Sequence, residues 1–189
     1  MRRDLVVPLA VPVVLGPLLG ALGGWLWWTW WGPAPMGRIY DTEAGKAWYP
    51  DPFDPGITRD FSATATYVVV GFGLAVLLGL VCGWLARERA VPGLLAVLVG
   101  AGLGLAVMAV LGEFLGPTDP ASLLAAHEVG DRLPGHLDVT GWTPYLAWPV
   151  GALLAYLVLM LSFSPTPATD RAERSEQTEQ PSAAPAPQG

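Results

Sequence analysis

The residue types most capable of chemistry crowd into one short stretch of the chain. His127, Glu128, Asp131, His136 and Asp138 fall within twelve residues. Such side chains bind metal ions, and histidine is the commonest protein ligand. The HExxH spacing that places two imidazoles on one helical face is absent, however, and a Pro-Gly turn separates the histidines. We therefore expect polar loop residues here, with His127, Glu128 and His136 as weak metal candidates, and neither a cofactor nor catalytic residues.

A second candidate is Glu113, the one carboxylate inside a long apolar run of the sequence. Ionisable groups within membrane spans are often functional, because a charge in hydrocarbon is costly. The helical rise places Glu113 about 33 Å beyond Val91, at the far boundary of a bilayer, where ionisation costs less. We retain Glu113 as an intramembrane acid without assigning it a reaction.

The composition indicates what surrounds these residues. The chain is 52% hydrophobic and only 14% charged, whereas a soluble domain carries about 25% charged residues. A net charge of −6 argues against a nucleic-acid partner, which would require basic patches. Cys82 is the only cysteine, so the chain forms no internal disulfide and no multi-cysteine zinc site.

Four apolar runs are each long enough to cross a membrane, which takes about 20 residues of helix. The predicted fold class is all-α: a four-helix transmembrane bundle with two long extracytoplasmic loops and a disordered C-terminal tail. The tail, residues 164–189, is rich in Pro, Ala, Ser, Glu and Gln and cannot bury enough apolar surface to fold. The predicted spans are about 5–31, 63–86, 92–115 and 144–163, within a transmembrane domain of residues 1–163.

The positions of lysine and arginine predict the orientation of these spans. Short basic segments precede the first span, join the second to the third, and follow the fourth. Since such segments stay in the cytoplasm, we expect a multi-pass protein of the plasma membrane with both termini cytoplasmic. The bases assigned to the inside are Arg2, Arg3, Arg87, Arg89, Arg171 and Arg174; those outside are Arg38, Lys46, Arg59 and Arg132.

Tryptophans concentrate where the first span ends. Five of the nine lie within residues 25–31, and at about 100° per residue they point around most of the helix. A binding cage would require convergence on one side, whereas a collar at the lipid headgroups requires dispersion, and indoles favour that depth. We predict an interfacial belt of Trp25, Trp27, Trp28, Trp30, Trp31, Trp142 and Trp148.

Small residues recur at four-residue spacing in three of the spans. Helices in lipid associate where small side chains let their backbones approach. The predicted packing positions are Gly16, Gly20 and Gly24 in the first span, Gly71, Gly79 and Gly83 in the second, and Gly100 and Gly104 in the third.

The order of features resembles an actinobacterial family of four-span inner-membrane proteins of unknown function. The residues that carry the resemblance are WLWWTWWGPAP (Trp25–Pro35), the tight turn RERAVPG (Arg87–Gly93) and GHLDVTGWTP (Gly135–Pro144). The resemblance covers residues 5–163. It implies a four-span inner-membrane protein and carries no active site to transfer.

Three functions remain open at this point. The first is an accessory or structural protein of the cell envelope, not an enzyme. Its partners would be the lipid bilayer and a membrane or envelope protein held by the outer loops. The second is a small-solute transporter or channel subunit, which would require oligomers because four short spans enclose little volume. The third is an outer-face metalloenzyme built on His127, Glu128 and His136.

Overall fold

A computed structural model describes residues 3–52 and 59–163. Its elements in chain order are α1 (Arg3–Trp31), β1 (Met36–Thr42), β2 (Gly45–Pro50), α2 (Arg59–Leu85), α3 (Ala90–Leu115), α4 (Pro120–Leu123), β3 (Arg132–Pro134) and α5 (Ala147–Ser162). A 3₁₀ turn over Thr143–Leu146 leads into α5. The tail predicted to be disordered lies outside the described residues.

Within these described residues, four helices are long and apolar enough to cross a membrane: Leu9–Trp31, Phe61–Leu85, Ala90–Leu115 and Thr143–Ser162. These match the predicted spans to within a few residues. Large apolar side chains cover their outward surfaces, among them Leu18, Val69 and Leu161, each more than 60% exposed. Water would penalise so much exposed apolar surface, so these faces suit lipid.

The all-α prediction is wrong for the connecting segments, which form a three-stranded sheet in the order β2-β1-β3. β1 and β2 form an antiparallel hairpin, and β1 also pairs antiparallel with β3 from the second connection. Ile39 is buried and its neighbour Tyr40 is exposed, the two-residue alternation of a half-buried strand. Gly45, with φ of +108°, makes the sharp turn into β2. We call this structure the cap (residues 32–52 and 116–142).

Glycines bring the helices into close contact in two main pairs. α1 packs on α3, where a Cβ at Gly16 would overlap the carbonyl of Gly100 and one at Gly20 that of Gly104. α2 packs on α5, where a Cβ at Gly79 would overlap the backbone of Ala152. The remaining predicted packing positions also face a neighbour: Gly24 lies against Met108, Gly71 against Trp148, and Gly83 against Leu159.

Two tryptophans assigned to the interfacial belt lie in the core, so the prediction is wrong for Trp27 and Trp148. Both side chains are fully buried. The Trp27 indole N–H donates to the Ala63 carbonyl at 2.8 Å, and its ring lies against Gly112. Trp148 lies over Gly104. Each indole fills space that a glycine on the facing helix leaves open. It buries more apolar area there than it would at the lipid headgroups.

The other belt residues are not in the core. Trp25, Trp28, Trp30 and Trp142 are exposed, and Trp31 is half-buried at the edge of the core. Trp25, Trp28, Trp30 and Trp142 are therefore free to meet headgroups, and their place in an interfacial belt stays a prediction.

Candidate functional site

The cap is anchored to the bundle by its own apolar residues. Leu137 and Val139, which follow β3, are buried in the same core cluster as Trp27 and Tyr67. Beside them the backbone N–H of Thr140 donates to the Thr64 hydroxyl on α2 at 3.1 Å. The cap thus presents its side chains from a scaffold that the spans hold in place.

One face of the sheet packs inward and forms the roof of a cavity. Gly37, Ile39 and Leu133 are buried on this face. Trp48 stands opposite Ile39 on β2, and its indole N–H donates to the Leu133 carbonyl at 3.0 Å. A Cβ at Gly37 would overlap the Trp48 ring, and one at Gly135 would lie 3.0 Å from it, so the indole packs closely against both glycines.

The opposite face of the sheet carries partly exposed side chains, and at its edge Met36 and Asp51 line a pocket with Trp31 and Ser62 of the bundle. Arg38 stands opposite both Tyr49 on β2 and Arg132 on β3. Asp51 accepts from Arg38 Nε at 2.8 Å and from Arg132 Nη2 at 3.4 Å, which holds the two guanidinium groups side by side. The rings of Tyr40 and Tyr49 meet edge to face with centroids 6.0 Å apart. We call this surface the Arg–Tyr face: Met36, Arg38, Tyr40, Tyr49 and Arg132.

A cavity of about 140 Å³ lies beneath the cap at the end of α1. Two indoles from different elements, Trp31 of α1 and Trp48 of β2, contribute to its wall. His136 and Asp138, from the segment after β3, add the charged and titratable groups. We call it the indole cavity, lined by Trp31, Pro35, Trp48, Ala63, Gly135, His136, Asp138 and Thr140.

The carboxylates around His136 set the electrostatics of this cavity. His136 Nδ1 lies 3.7 Å from Asp119 Oδ1, and its Nε2 lies 3.9 Å from Asp138 Oδ2. Asp119 also caps α4, accepting from the Ala121 N–H at 2.9 Å. Glu113, at the end of α3, interacts electrostatically with both Asp138 and His136. Two carboxylates therefore flank the imidazole, and Glu113 adds a third negative charge on the same side of the molecule.

Glu113 is exposed at the boundary between α3 and the cap. It lies within the last turn of the third candidate span, at the depth expected from the helical rise. Its electrostatic neighbours are Asp138 and His136 of the cap and also Tyr67 and Tyr145, whose rings pack together in the bundle. Whether it is functional stays a prediction.

The structure does not assemble the three weak metal candidates. His127 Nδ1 contacts Asp131 Oδ2 at 3.5 Å, whereas His136 contacts Asp119 and Asp138. Within residues 3–52 and 59–163, no group of three ligand-type side chains converges on a common point that could hold an ion. His127 contacts Asp131, four residues along the chain, and not His136, nine residues along the chain.

A larger groove of about 530 Å³ opens sideways between α2 and the start of α5. Phe61, Phe72, Leu146 and Val150 form much of its wall. These apolar side chains are what a lipid-facing crevice requires, and they offer little to recognise a polar ligand. The cap therefore holds the better candidate sites.

Sequence reasoning missed both surfaces of the cap for one reason. The sequence predicts that the two outer loops together hold a partner, but not that they share a sheet, because β1 and β3 pair across more than ninety residues of chain. The alternation of Arg38, Ile39 and Tyr40 is a local strand signal that could have been found; the pairing with β3 is not local.

Comparison with protein-family models, curated proteins and solved structures gives no match. Membership of the actinobacterial family therefore stays a prediction.

Proposed function

We propose that this chain is a four-span accessory protein of the cell envelope, and that the Arg–Tyr face of its cap binds a partner protein. The observation that supports this most is the outward display of two arginines and two tyrosines on a sheet fixed to the bundle. The cap faces the outside of the cell, with both termini in the cytoplasm.

The residue types on the Arg–Tyr face are those that carry binding energy at protein interfaces. Tyrosine, arginine and methionine are enriched in interface cores, and tyrosine and arginine dominate their hot spots. Met36, Tyr40 and Tyr49 are each between 39% and 46% exposed, so each has surface left to bury. Their sheet scaffold also lowers the ordering cost of binding, because the backbone is already fixed.

The interior of the bundle favours this function over solute transport. Among the described residues, no charged side chain is buried, and the polar groups of the buried Trp27 and Tyr67 are bonded to backbone carbonyls. The contact of Gly16 and Gly20 with α3 closes α1 onto its neighbour. A transport path through one copy would require a polar face within the spans, so the transporter hypothesis depends on a path between copies. For the metalloenzyme hypothesis, the described residues assemble no group of three metal-binding side chains.

Photo-crosslinking tests the proposed binding surface. A benzophenone amino acid in place of Tyr40, in the full-length protein in its own membrane, is expected to trap a defined protein. The same reagent in place of Phe163, which is 52% exposed at the opposite end of the bundle, should not trap it. A partner trapped only from Phe163, or from the turn between α2 and α3, would contradict the proposal.

The yield of that crosslink should depend on the arginines as well. With the reagent at Tyr40, Arg132→Glu is expected to lower the yield at least about tenfold, as loss of an interface hot spot does. Glu43→Ala in the β1–β2 turn is the matched control, because Glu43 is exposed but lies outside the Arg–Tyr face. Equal yields for the two variants would count against the face as the docking surface.

Cysteine labelling tests the orientation. In a Cys82→Ala background, which removes the buried native thiol, Glu43→Cys should react with an impermeant maleimide on intact cells. Glu88→Cys should react only after the membrane is opened, because the short basic turn is predicted to be cytoplasmic. Both positions are exposed turns, so accessibility alone does not separate them. The reverse pattern would show that the cap faces the cytoplasm.

A further inference from the structure

We propose that the indole cavity binds the ammonium group of a small organic cation. This site is separate from the Arg–Tyr face, which lies on the other side of the sheet, and it does not depend on the proposed protein partner. The cavity combines an aromatic wall, a negative electrostatic environment and a size that fits such a group.

The aromatic wall comes from two indoles that the fold brings together from residues 31 and 48. Trp48 is fixed by its hydrogen bond to the Leu133 carbonyl and by the flanking glycines Gly37 and Gly135. Trp31 is half-buried and packs against the core of the bundle. Tryptophan is the strongest aromatic partner for cations, and cages of aromatic rings are a recurring way to bind alkylated ammonium groups.

The charge around the cavity selects a cation. Asp138 lines it directly, and Asp119 and Glu113 lie near His136. Three carboxylates outweigh one imidazole whether or not the imidazole is protonated. None of the described residues that line the cavity is a lysine or an arginine. Arg38 and Arg132, the nearest arginines on the sheet, are paired with Asp51 on the opposite face.

The size of the cavity limits the ligand. A cavity of about 140 Å³ is close to the roughly 150 Å³ that accommodates benzene in an engineered protein core. A trimethylammonium group with a short substituent falls in this range. His136 and Asp138 are both partly exposed, so the cavity has a polar entrance through which a cation or a lipid headgroup can reach it.

Calorimetric titration of the purified, delipidated full-length protein with choline tests the proposal. The control ligand is 3,3-dimethyl-1-butanol, which has the same shape with a neutral carbon in place of the nitrogen. We expect saturable binding of choline in the millimolar range or tighter, and at least about fivefold weaker binding of the alcohol, the difference that a cation–π contact supplies. Absence of saturable choline binding, or equal binding of both compounds, would overturn the proposal.

Two pairs of variants test the wall and the charge. Trp31→Leu is expected to weaken choline binding about tenfold, whereas Trp142→Leu, at an exposed indole outside the cavity, should leave it unchanged. Asp138→Asn keeps the shape of the side chain and should weaken binding about two- to fivefold. Asp131→Asn, at a carboxylate paired with His127, is its control. Melting temperatures of all four variants show whether each is folded, and folded Trp31 and Asp138 variants with unchanged affinity would contradict the proposed site.

Reconstitution separates the two sources of the ammonium group. Choline affinity is measured in nanodiscs of phosphatidylcholine and in nanodiscs of digalactosyldiacylglycerol, which carries no ammonium. Weaker binding in phosphatidylcholine indicates that a lipid headgroup occupies the cavity. Equal affinity indicates a cation taken from the outside solution. Both results support the cavity as an ammonium site and assign its ligand.

Discussion

Trp27→Ala is expected to lower the free energy of unfolding by about 3–5 kcal/mol, the range for removing a large aromatic side chain from a core. The indole is fully buried, its N–H donates to Ala63 on α2, and its ring meets Tyr67 edge to face with centroids 5.1 Å apart. It also lies against Gly112 on α3. One side chain thus joins α1 to two other helices beside the cap, and its loss leaves a cavity at their junction.

Reversible unfolding in mixed detergent micelles measures this effect, with Trp30→Ala as the matched control. Trp30 lies three residues away on the same helix and is 67% exposed, so its loss should change the unfolding free energy by no more than about 0.5 kcal/mol. If Trp27→Ala and Trp30→Ala were equally stable, Trp27 would belong to an interfacial belt and not to the core.

Gly100→Val is expected to destabilise the bundle by at least about 2 kcal/mol through overpacking. A Cβ at Gly100 would overlap the carbonyl of Pro12 on α1. The overlap can be relieved only if α1 and α3 move apart, because the obstructing atoms belong to the backbone and not to the end of a flexible side chain. Separation of the two helices would also loosen the contact of Gly16 with α3.

Gly102→Val provides the control on the same helix. A Cβ at Gly102 meets nothing within 4 Å, so the substitution alters helix propensity without touching a neighbouring helix. The unfolding free energy of the two variants, measured in the same micelles, should differ by most of the overpacking cost. A Gly102→Val variant as unstable as Gly100→Val would show that helix propensity, and not the α1–α3 contact, requires glycine.

The glycine positions illustrate how much of the bundle is readable from sequence. Small residues at four-residue spacing mark a face that allows close approach whatever helix it meets. The sequence could not say which helix that is. Gly16 and Gly20 meet α3, not the adjoining α2, and Gly79 meets α5. Which helices pair depends on the shapes of both surfaces. The spacing of small residues along one helix gives no information about the surface of its partner.

Trp27 shows where the same reasoning was incomplete. The buried face of α1 runs through Gly16, Gly20 and Gly23, and at 3.6 residues per turn it continues to Trp27 and then Trp31. Extending the glycine stripe along the helix would have placed Trp27 inward and Trp25 on the opposite side, but Trp30, two turns after Gly23, lies on the stripe and is nevertheless exposed. The tryptophans of α1 point in several directions because Trp27 and Trp31 pack in or against the core, whereas the other three are exposed.

The sequence alone determined the four apolar spans and their small-residue faces, because length, hydropathy and helical period are local properties of the chain. Only the tertiary structure decided that the two connections share one sheet, that Trp31 and Trp48 line one cavity, and that Asp119 lies beside His136. Each of these contacts joins residues distant in the chain. The free energy that selects them comes from surfaces buried together, and such surfaces exist only once the chain has folded.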